Sequence, residues 1–296
     1  MQVFITGASG WIGSALTRDL VAHGHEVVGL ARSDASAERI RTAGGRPVRG
    51  DVSDHGLIVE QAQHADATAH LAFTLDFDAF DETIANEVAL VAALGDELAG
   101  SGKAFFAASG TPTNPTGIAT EDDALDPEGP AGARSLTAAA VLALADSGIR
   151  SGLVRMPRTV HGAGDHNGLV ASLVQLDRQL GVAAYVGDGA NRWPAVHVED
   201  AARLLRLALE GAPPRSVLHA VAEEGVPMRA VAERISRQTG LPAQPVDPTT
   251  LGVFGALLGG DQPASSVRTR ALLGWEPAGP TLLEDLDAGY YTTSAD

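Results

Sequence analysis

Three glycines near the start of the chain are spaced to bind an anion. Gly7, Gly10 and Gly13 lie in Gly7-Ala8-Ser9-Gly10-Trp11-Ile12-Gly13, directly between the apolar run QVFIT and the helix-forming run SALTRDLVAHG. Glycines at these positions let the chain turn tightly, approach a pyrophosphate and pack a helix against a sheet, while the free N–H groups of the helix N-terminus face the negative charge. The plain alternative is a glycine-rich turn with no ligand, and the strand–glycine–helix order weighs against it. About 20 residues further on, a nucleotide fold of this kind places an acid against the ribose 2′-hydroxyl of NAD. Here the residues are Leu30-Ala31-Arg32-Ser33. A guanidinium and a hydroxyl suit a 2′-phosphate, so the expected cofactor is NADP(H) in preference to NAD(H). Asp34 competes: it either faces the ribose and favours NAD, or caps a helix over 35–43.

Such a loop needs a sheet edge to hold it, and the sequence supplies one. Strand-like runs at 2–6, 26–31, 46–50, 65–72, 103–109 and 149–155 alternate with amphipathic segments. That alternation predicts an α/β chain, a Rossmann doubly wound parallel sheet covered on both faces. The stretch 111–132, dense in Pro, Thr and Asp, reads as a long surface loop of the kind that is functional or mobile. Beyond 155 the regularity breaks. A helix over 169–180, an extended YVG, and a strand–helix pair in WPAVHVEDAARLLRLALE are followed by short helical pieces across 223–290. The expected organisation is a cofactor domain over 1–155, with 193–222 returning to it, and a smaller, mainly helical substrate lobe from 156–192 and 223–296. The final TTSAD reads as frayed.

Composition narrows the partners. A net charge of −16 with no local basic cluster repels phosphate backbones and anionic lipid, so neither nucleic acid nor membrane is expected. No apolar run is long enough to span a bilayer, and no basic, apolar leader precedes the first strand, which suggests a cytoplasmic protein. The chain has no cysteine, which removes disulfides, thiol nucleophiles and thiolate metal sites. The expected partner is a small-molecule substrate. The alanine-rich face over 136–145 is compatible with a helix-paired homodimer and equally with burial in the chain's own core.

Several motifs in order resemble the extended short-chain dehydrogenase/reductase superfamily of the NAD(P)-dependent epimerase/dehydratase type. TGASGWIG (6–13) is similar to its TGxxGxxG, Gly50-Asp51-Val52 to the segment that meets adenine, and His70-Leu71-Ala72 to the strand-end HLA. Asn86, Ser109, RMPRTVHG (155–162) in place of RPxxVYG, and WPAVHVEDAARL (193–204) continue the match over nearly the whole chain. The resemblance implies cofactor contacts at Gly7, Ser9, Gly10, Trp11, Ile12, Gly13, Arg32, Ser33, Asp51, Val52, Leu71, Ala72, Phe73, Pro157 and Val160. It fails at the catalytic YxxxK pair. By alignment Arg134 stands for the tyrosine and Ala138 for the lysine, the only lysine is Lys103, and the tyrosines are Tyr185, Tyr290 and Tyr291. The missing tyrosine normally moves the proton that accompanies hydride transfer, so another donor is required or no reduction occurs.

The resemblance puts Ser109 beside the nicotinamide, where its hydroxyl could bond a substrate oxygen; alternatively it ends a strand and bonds nearby backbone. Thr111 is a second hydroxyl in a turn-like context. Arg134 cannot donate a proton at ordinary pH, but can bind a carboxylate or stabilise an oxyanion, or else be a solvated helix arginine. Tyr185 offers a phenol from the lobe side, or an aromatic lid on the lobe junction. His161, in place of a family tyrosine, reads as packing. His166 with Asp165 lacks a third metal ligand, so no metal is expected. The leading reading is an atypical NADP(H)-dependent oxidoreductase acting on a small or medium carbonyl or imine. The alternatives are a catalytically silent NADP(H) sensor and a nucleotide-sugar epimerase or dehydratase.

Overall fold

The computed structural model describes residues 1–73, 80–128, 132–251 and 253–291. The first half is a regular alternation: β1 (Gln2–Thr6), α1 (Trp11–Ala22), β2 (Glu26–Ala31), α2 (Asp34–Thr42), β3 (Arg46–Arg49), α3 (His55–His64), β4 (Ala67–His70), α4 (Phe80–Leu98), β5 (Ala104–Gly110), α5 (Arg134–Ala143) and β6 (Arg150–Met156). The second half runs β7 (Thr159–His161), α6 (Leu169–Leu180), β8 (Ala183–Val186), β9 (Arg192–His197), α7 (Val198–Gly211), β10 (Ser216–His219), β11 (Glu223–Pro227), α8 (Met228–Thr239), β12 (Ala243–Val246), α9 (Val253–Gly259), α10 (Val267–Leu273) and α11 (Leu282–Asp287).

Seven strands, all parallel, form the main sheet in the order β10-β6-β5-β4-β1-β2-β3. The six strands expected from the sequence are present with ends within two residues; β10, only four residues long, was not among them. Period-two alternation sends Val3, Ile5, Phe106 and Val154 to a core shared with α1, α2 and α7. Their neighbours Phe4, Phe105 and Leu153 enter a second core with α3, α4 and α5. This is the doubly wound Rossmann arrangement. The order in which strands are added reverses between β1 and β4, and in such sheets ligands bind at that switch point, outside the carboxyl ends of the strands.

A third core joins α6, β8, α8 and α11 around Tyr185, Trp193 and Met228. This lobe carries more strand than the sequence suggested. β11 pairs antiparallel with β9, β9 parallel with β7, and β12 parallel with β8. These strands are short and interrupted by Gly and Pro, so their alternation is too brief to register. Within 193–222, β9 joins the small sheet, whereas α7 lies on α1 and β10 on β6. The loop from 111 is tethered: Ala119 bridges to Ala264, and buried Glu121 accepts from the Thr269 amide and hydroxyl (2.8 and 2.7 Å). Residues 129–131 of the loop and the TTSAD end lie outside the described residues.

Candidate functional site

At the switch point the glycine loop leaves β1 and meets the end of β4. Gly7 has φ +75°, and a Cβ there would lie 2.8 Å from the Ala72 amide nitrogen and 2.9 Å from the Leu71 carbonyl carbon. A Cβ on Gly13 would lie 2.1 Å from the Gly7 oxygen. Only glycine fits either position. α1 starts at Trp11 with no side-chain cap on Gly10, which leaves its first amides for a ligand. A cleft of about 260 Å³ opens here, lined by Gly7, Ser9, Gly10, Arg32, Asp51, Val52, Leu71, Ala72 and Phe73, together with Leu30 and Gly50. The loop is thus a cradle that side chains would fill, and it suits a dinucleotide pyrophosphate.

The adenine end of the cleft carries opposed charges. Arg32 is exposed, and Asp51 is held below the usual carboxylate range, first by the Ser53 amide and hydroxyl and then by the Arg32 charge. Ser33, not Asp34, caps α2: its Oγ accepts from the Ser36 amide (3.1 Å) in a capping box. Asp34 is fully exposed and lies 3.5 Å from Arg49, so the capping role proposed for it falls to its neighbour. Arg39 was not foreseen. Its Nε donates to the Ser9 carbonyl (3.2 Å), which brings a second guanidinium to the rim. Position on α2 alone gave no sign of that reach.

Six of the residues expected at the cofactor also have roles within the protein. Trp11 and Val160 bond each other, the indole N–H donating to the Val160 carbonyl (3.2 Å) and tying α1 to β7. Ile12 packs on the main core, Gly13 serves the close approach to Gly7, Ser33 is the helix cap, and Pro157 is buried after β6.

At the other end, Ser109 is 7% exposed at the end of β5, and its hydroxyl has no hydrogen bond among the described residues. Thr111 follows, its amide donating to the Met156 carbonyl (3.0 Å). Arg134 opens α5 but is not a solvated helix arginine. Its guanidinium lies 3.9 Å over the Phe73 ring, and Nη2 donates to the Ala108 carbonyl (3.2 Å). Burial lowers its pKa, and the charge of Glu87 partly opposes that shift. Ser109, Arg134 and Phe73 therefore come together. Tyr185 does not join them: its ring is 7% exposed in the lobe core, with Arg229 5.7 Å from its centroid.

Beneath Arg134 runs a buried polar chain that sequence reasoning missed. Thr6 Oγ1 shares a hydrogen bond with His70 Nδ1 (2.8 Å), His70 Nε2 lies 3.8 Å from Glu87 Oε1, and Thr137 donates to Glu87 Oε2 (3.2 Å). Only the HLA motif hinted at His70; Glu87 reads from sequence as an ordinary helix acid beside Asn86, which itself pairs with His55 (2.9 Å). Lys103 cannot substitute for the absent lysine. It stands before β5, bonded to the Gln63 carbonyl, and six residues of strand put it about 20 Å from Ser109. Tyr291 is also committed: its hydroxyl accepts from the Gly162 amide (3.1 Å) and donates to Asp165 (3.3 Å). His161 is fully buried against Asp285 (2.6 Å), a packing position as expected.

Residues 3–220 match the family described as NAD dependent epimerase/dehydratase family. The chain belongs to that family. Some of the relatives matched are named as reductases or dehydrogenases, and this Rossmann-fold, nucleotide-binding chain is an NAD(P)-dependent enzyme of the family. It is 37% identical to an uncharacterized protein of Schizosaccharomyces pombe over 295 residues, 98% of this chain and 100% of the relative. It is 26% identical over 261 residues to a 2-alkyl-3-oxoalkanoate reductase of Stenotrophomonas maltophilia, covering 82% of this chain and 77% of the reductase. A solved structure of MoeE5 in complex with UDP-glucose and NAD shares the fold at TM-score 0.77 and 23% identity, over 99% of this chain and 98% of that one. Among the described residues, no helix is long and apolar enough to cross a membrane, and no cluster of three or more His, Asp or Glu could hold a metal ion.

Proposed function

We propose that the chain is an NADP(H)-dependent oxidoreductase acting on a small or medium organic carbonyl or imine, in a site that dispenses with the Tyr/Lys pair. The observation that carries this reading is the link through Phe73, which lines the cleft with the glycine cradle and Arg32 and also carries the Arg134 guanidinium, itself bonded to the carbonyl of the residue before Ser109. NADPH, when bound, supplies the hydride. Gly7, Ser9, Gly10, Gly13 and the first amides of α1 hold the pyrophosphate. Arg32, with Arg39 nearby and Ser33 behind it, faces the 2′-phosphate; Asp51 and Val52 meet the adenine side, and Leu71, Ala72, Phe73, Pro157 and Val160 border the nicotinamide side. Ser109 hydrogen-bonds the substrate oxygen, Arg134 places a fixed positive charge beside the alkoxide that hydride addition leaves, and the alkoxide takes its proton from solvent water in the open cleft. An imine that enters protonated has no need of a tyrosine donor.

The bacterial 2-alkyl-3-oxoalkanoate reductase supports the carbonyl reading, since its name describes reduction of a ketone. In the proposed division of labour, residues 1–155 with 193–222 carry the cofactor, and 156–192 with 223–296 form the substrate lobe. Leu136, 60% exposed on α5, is compatible with helix pairing between two copies. The test is titration with NADPH and NADH, followed by absorbance decay at the nicotinamide band with carbonyl and imine panels. Tight NADPH binding with decay is the expected result. Binding with no decay on any substrate would favour a cofactor sensor, for which the absent Tyr and Lys speak. Binding of UDP or dTDP would favour a nucleotide-sugar epimerase or dehydratase, the class to which MoeE5's bound UDP-glucose points.

A further inference from the structure

Half-buried arginines in this fold differ in how they use their donors. Arg150 gives Nη1 to the carbonyls of Ala208 and Ala212 and Nη2 to that of Leu209 (3.1, 3.0 and 2.5 Å), which satisfies it structurally. Arg134 differs. It has five N–H donors, and among the described residues a single one is used, on the Ala108 carbonyl. Glu87, the charge nearest in effect, makes no ion pair with it; its oxygens face Thr137 and His70 instead. The guanidinium is partly desolvated, lies 3.9 Å over the ring of Phe73, a residue that lines the cleft, and still has donors to offer. A planar cation in that condition is complementary to a carboxylate, which accepts two parallel N–H bonds.

Resting on the oxidoreductase reading, we propose that Arg134 binds a carboxylate of the substrate, so that the substrates are oxo acids and not neutral ketones or aldehydes. The reach is short. Arg134 bonds the carbonyl of Ala108, the residue immediately before Ser109, and one strand residue spans about 3.3 Å. A carboxylate on Arg134 and a reacting oxygen on Ser109 therefore belong to one compact group, with the carbonyl at position 2 or 3 of the acid. A longer spacing would force one of the two contacts apart.

The test uses the full chain, with Arg134→Gln, Arg134→Lys and Ser109→Ala variants that retain NADPH binding. Rates of NADPH oxidation are compared for 2-oxo and 3-oxo acids and their methyl esters, and malonate binding to the NADP⁺ complex is measured by calorimetry. Wild type should prefer acid over ester by about 30-fold in kcat/KM, the worth of a bidentate charge-assisted pair. Arg134→Gln should bring that preference to near unity and weaken malonate by about 10-fold or more. Arg134→Lys should fall between the two, and Ser109→Ala should slow acid and ester alike while leaving the preference for acid over ester unchanged. Esters reduced as well as acids, or a preference that survives Arg134→Gln, would overturn the proposal. If no carbonyl compound is reduced, the oxidoreductase reading fails by itself. Malonate binding lost in Arg134→Gln would still uphold the anion site, and binding unchanged would refute it.

Discussion

If the cofactor is NADP(H) as proposed, replacing Arg32 with Gln should remove most of the preference for NADPH and leave the fold untouched. Arg32 is exposed at the carboxyl end of β2 and lines the cleft with Asp51. Asp51 stays ionised because Ser53 donates to it from both amide and hydroxyl (3.1 and 2.9 Å), with the Arg32 charge adding to the effect. Hydrogen bonds to a charged group contribute about 1.5–3 kcal/mol, and exposure of the guanidinium reduces that to roughly 1–2 kcal/mol. At about 1.4 kcal/mol per decade this corresponds to roughly a 5- to 30-fold weakening of NADPH. Asp51 adds to the penalty, because with Arg32 gone its carboxylate faces a 2′-phosphate without an intervening cation. NADH, which has no such phosphate, should change by no more than about twofold.

The assay is titration of wild type and Arg32→Gln with both nucleotides at low salt and at 0.5 M salt. The ratio of the two dissociation constants should shrink about tenfold in the variant, and the wild-type ratio should shrink with added salt because the contact is exposed. Equal weakening of NADPH and NADH would refute the reasoning, since it would mean that Arg32 orders the rim and does not read the phosphate. A wild type that binds NADH more tightly than NADPH would refute it outright.

Gly13→Ala should cost both stability and nucleotide binding, its Cβ meeting the Gly7 oxygen at 2.1 Å, whereas Gly10→Ala meets only one atom, at 3.2 Å, and should fold normally yet lose NADPH affinity; thermal melts with and without NADPH separate the two. Asp285→Ala removes the partner of the buried His161 (2.6 Å) and should destabilise the chain by about 1–3 kcal/mol, with 282–291 becoming the first proteolytic target. Burial pushes the Asp177 carboxyl from 3.8 up to about 7, with one oxygen accepting from the Ala184 amide and the other unpartnered. Its folded pKa is raised, so the folded state holds the extra proton and stability falls as pH rises from about 4 through 7. Urea unfolding at pH 5 and pH 8 should show wild type losing about 2–3 kcal/mol more than Asp177→Asn over that interval.

The sheet and its cradle were legible because they rest on local rules. Alternating apolar runs, a strand–glycine–helix junction, and an arginine where an acid is usual all act within a few residues of one another. The small sheets of the lobe were not legible, since their strands are short and pair across distant segments such as β7 with β9 and β8 with β12. The same limit hid Arg39, whose contact with Ser9 crosses 30 residues, and Glu87, whose partners lie on α5 and β4. Arg134 was visible as a substitution, but only the stack on Phe73 and the bond to Ala108 distinguish it from a solvated helix arginine.

In the proposed reading, Arg134 at the head of α5 stands where the resemblance implies a tyrosine, so a group that can give up a proton gives way to one that keeps its charge throughout the working pH range. A fixed charge helps where negative charge already exists or develops, and only while its donors are free. Glu87 meets that condition by remaining indirect. It is 5% exposed and satisfied by Thr137, with His70 3.8 Å away and itself anchored to Thr6, so its field offsets part of the desolvation of Arg134 without occupying the guanidinium. A carboxylate bonded directly to Arg134 would have consumed the same N–H pair that a substrate carboxylate requires. Distance, and not mere presence, is therefore what makes Glu87 compatible with an anion-binding Arg134. Adding a second acid, as Thr137→Asp three residues after Arg134 on α5 would, should cost carboxylate affinity by placing another negative charge on the same helix face.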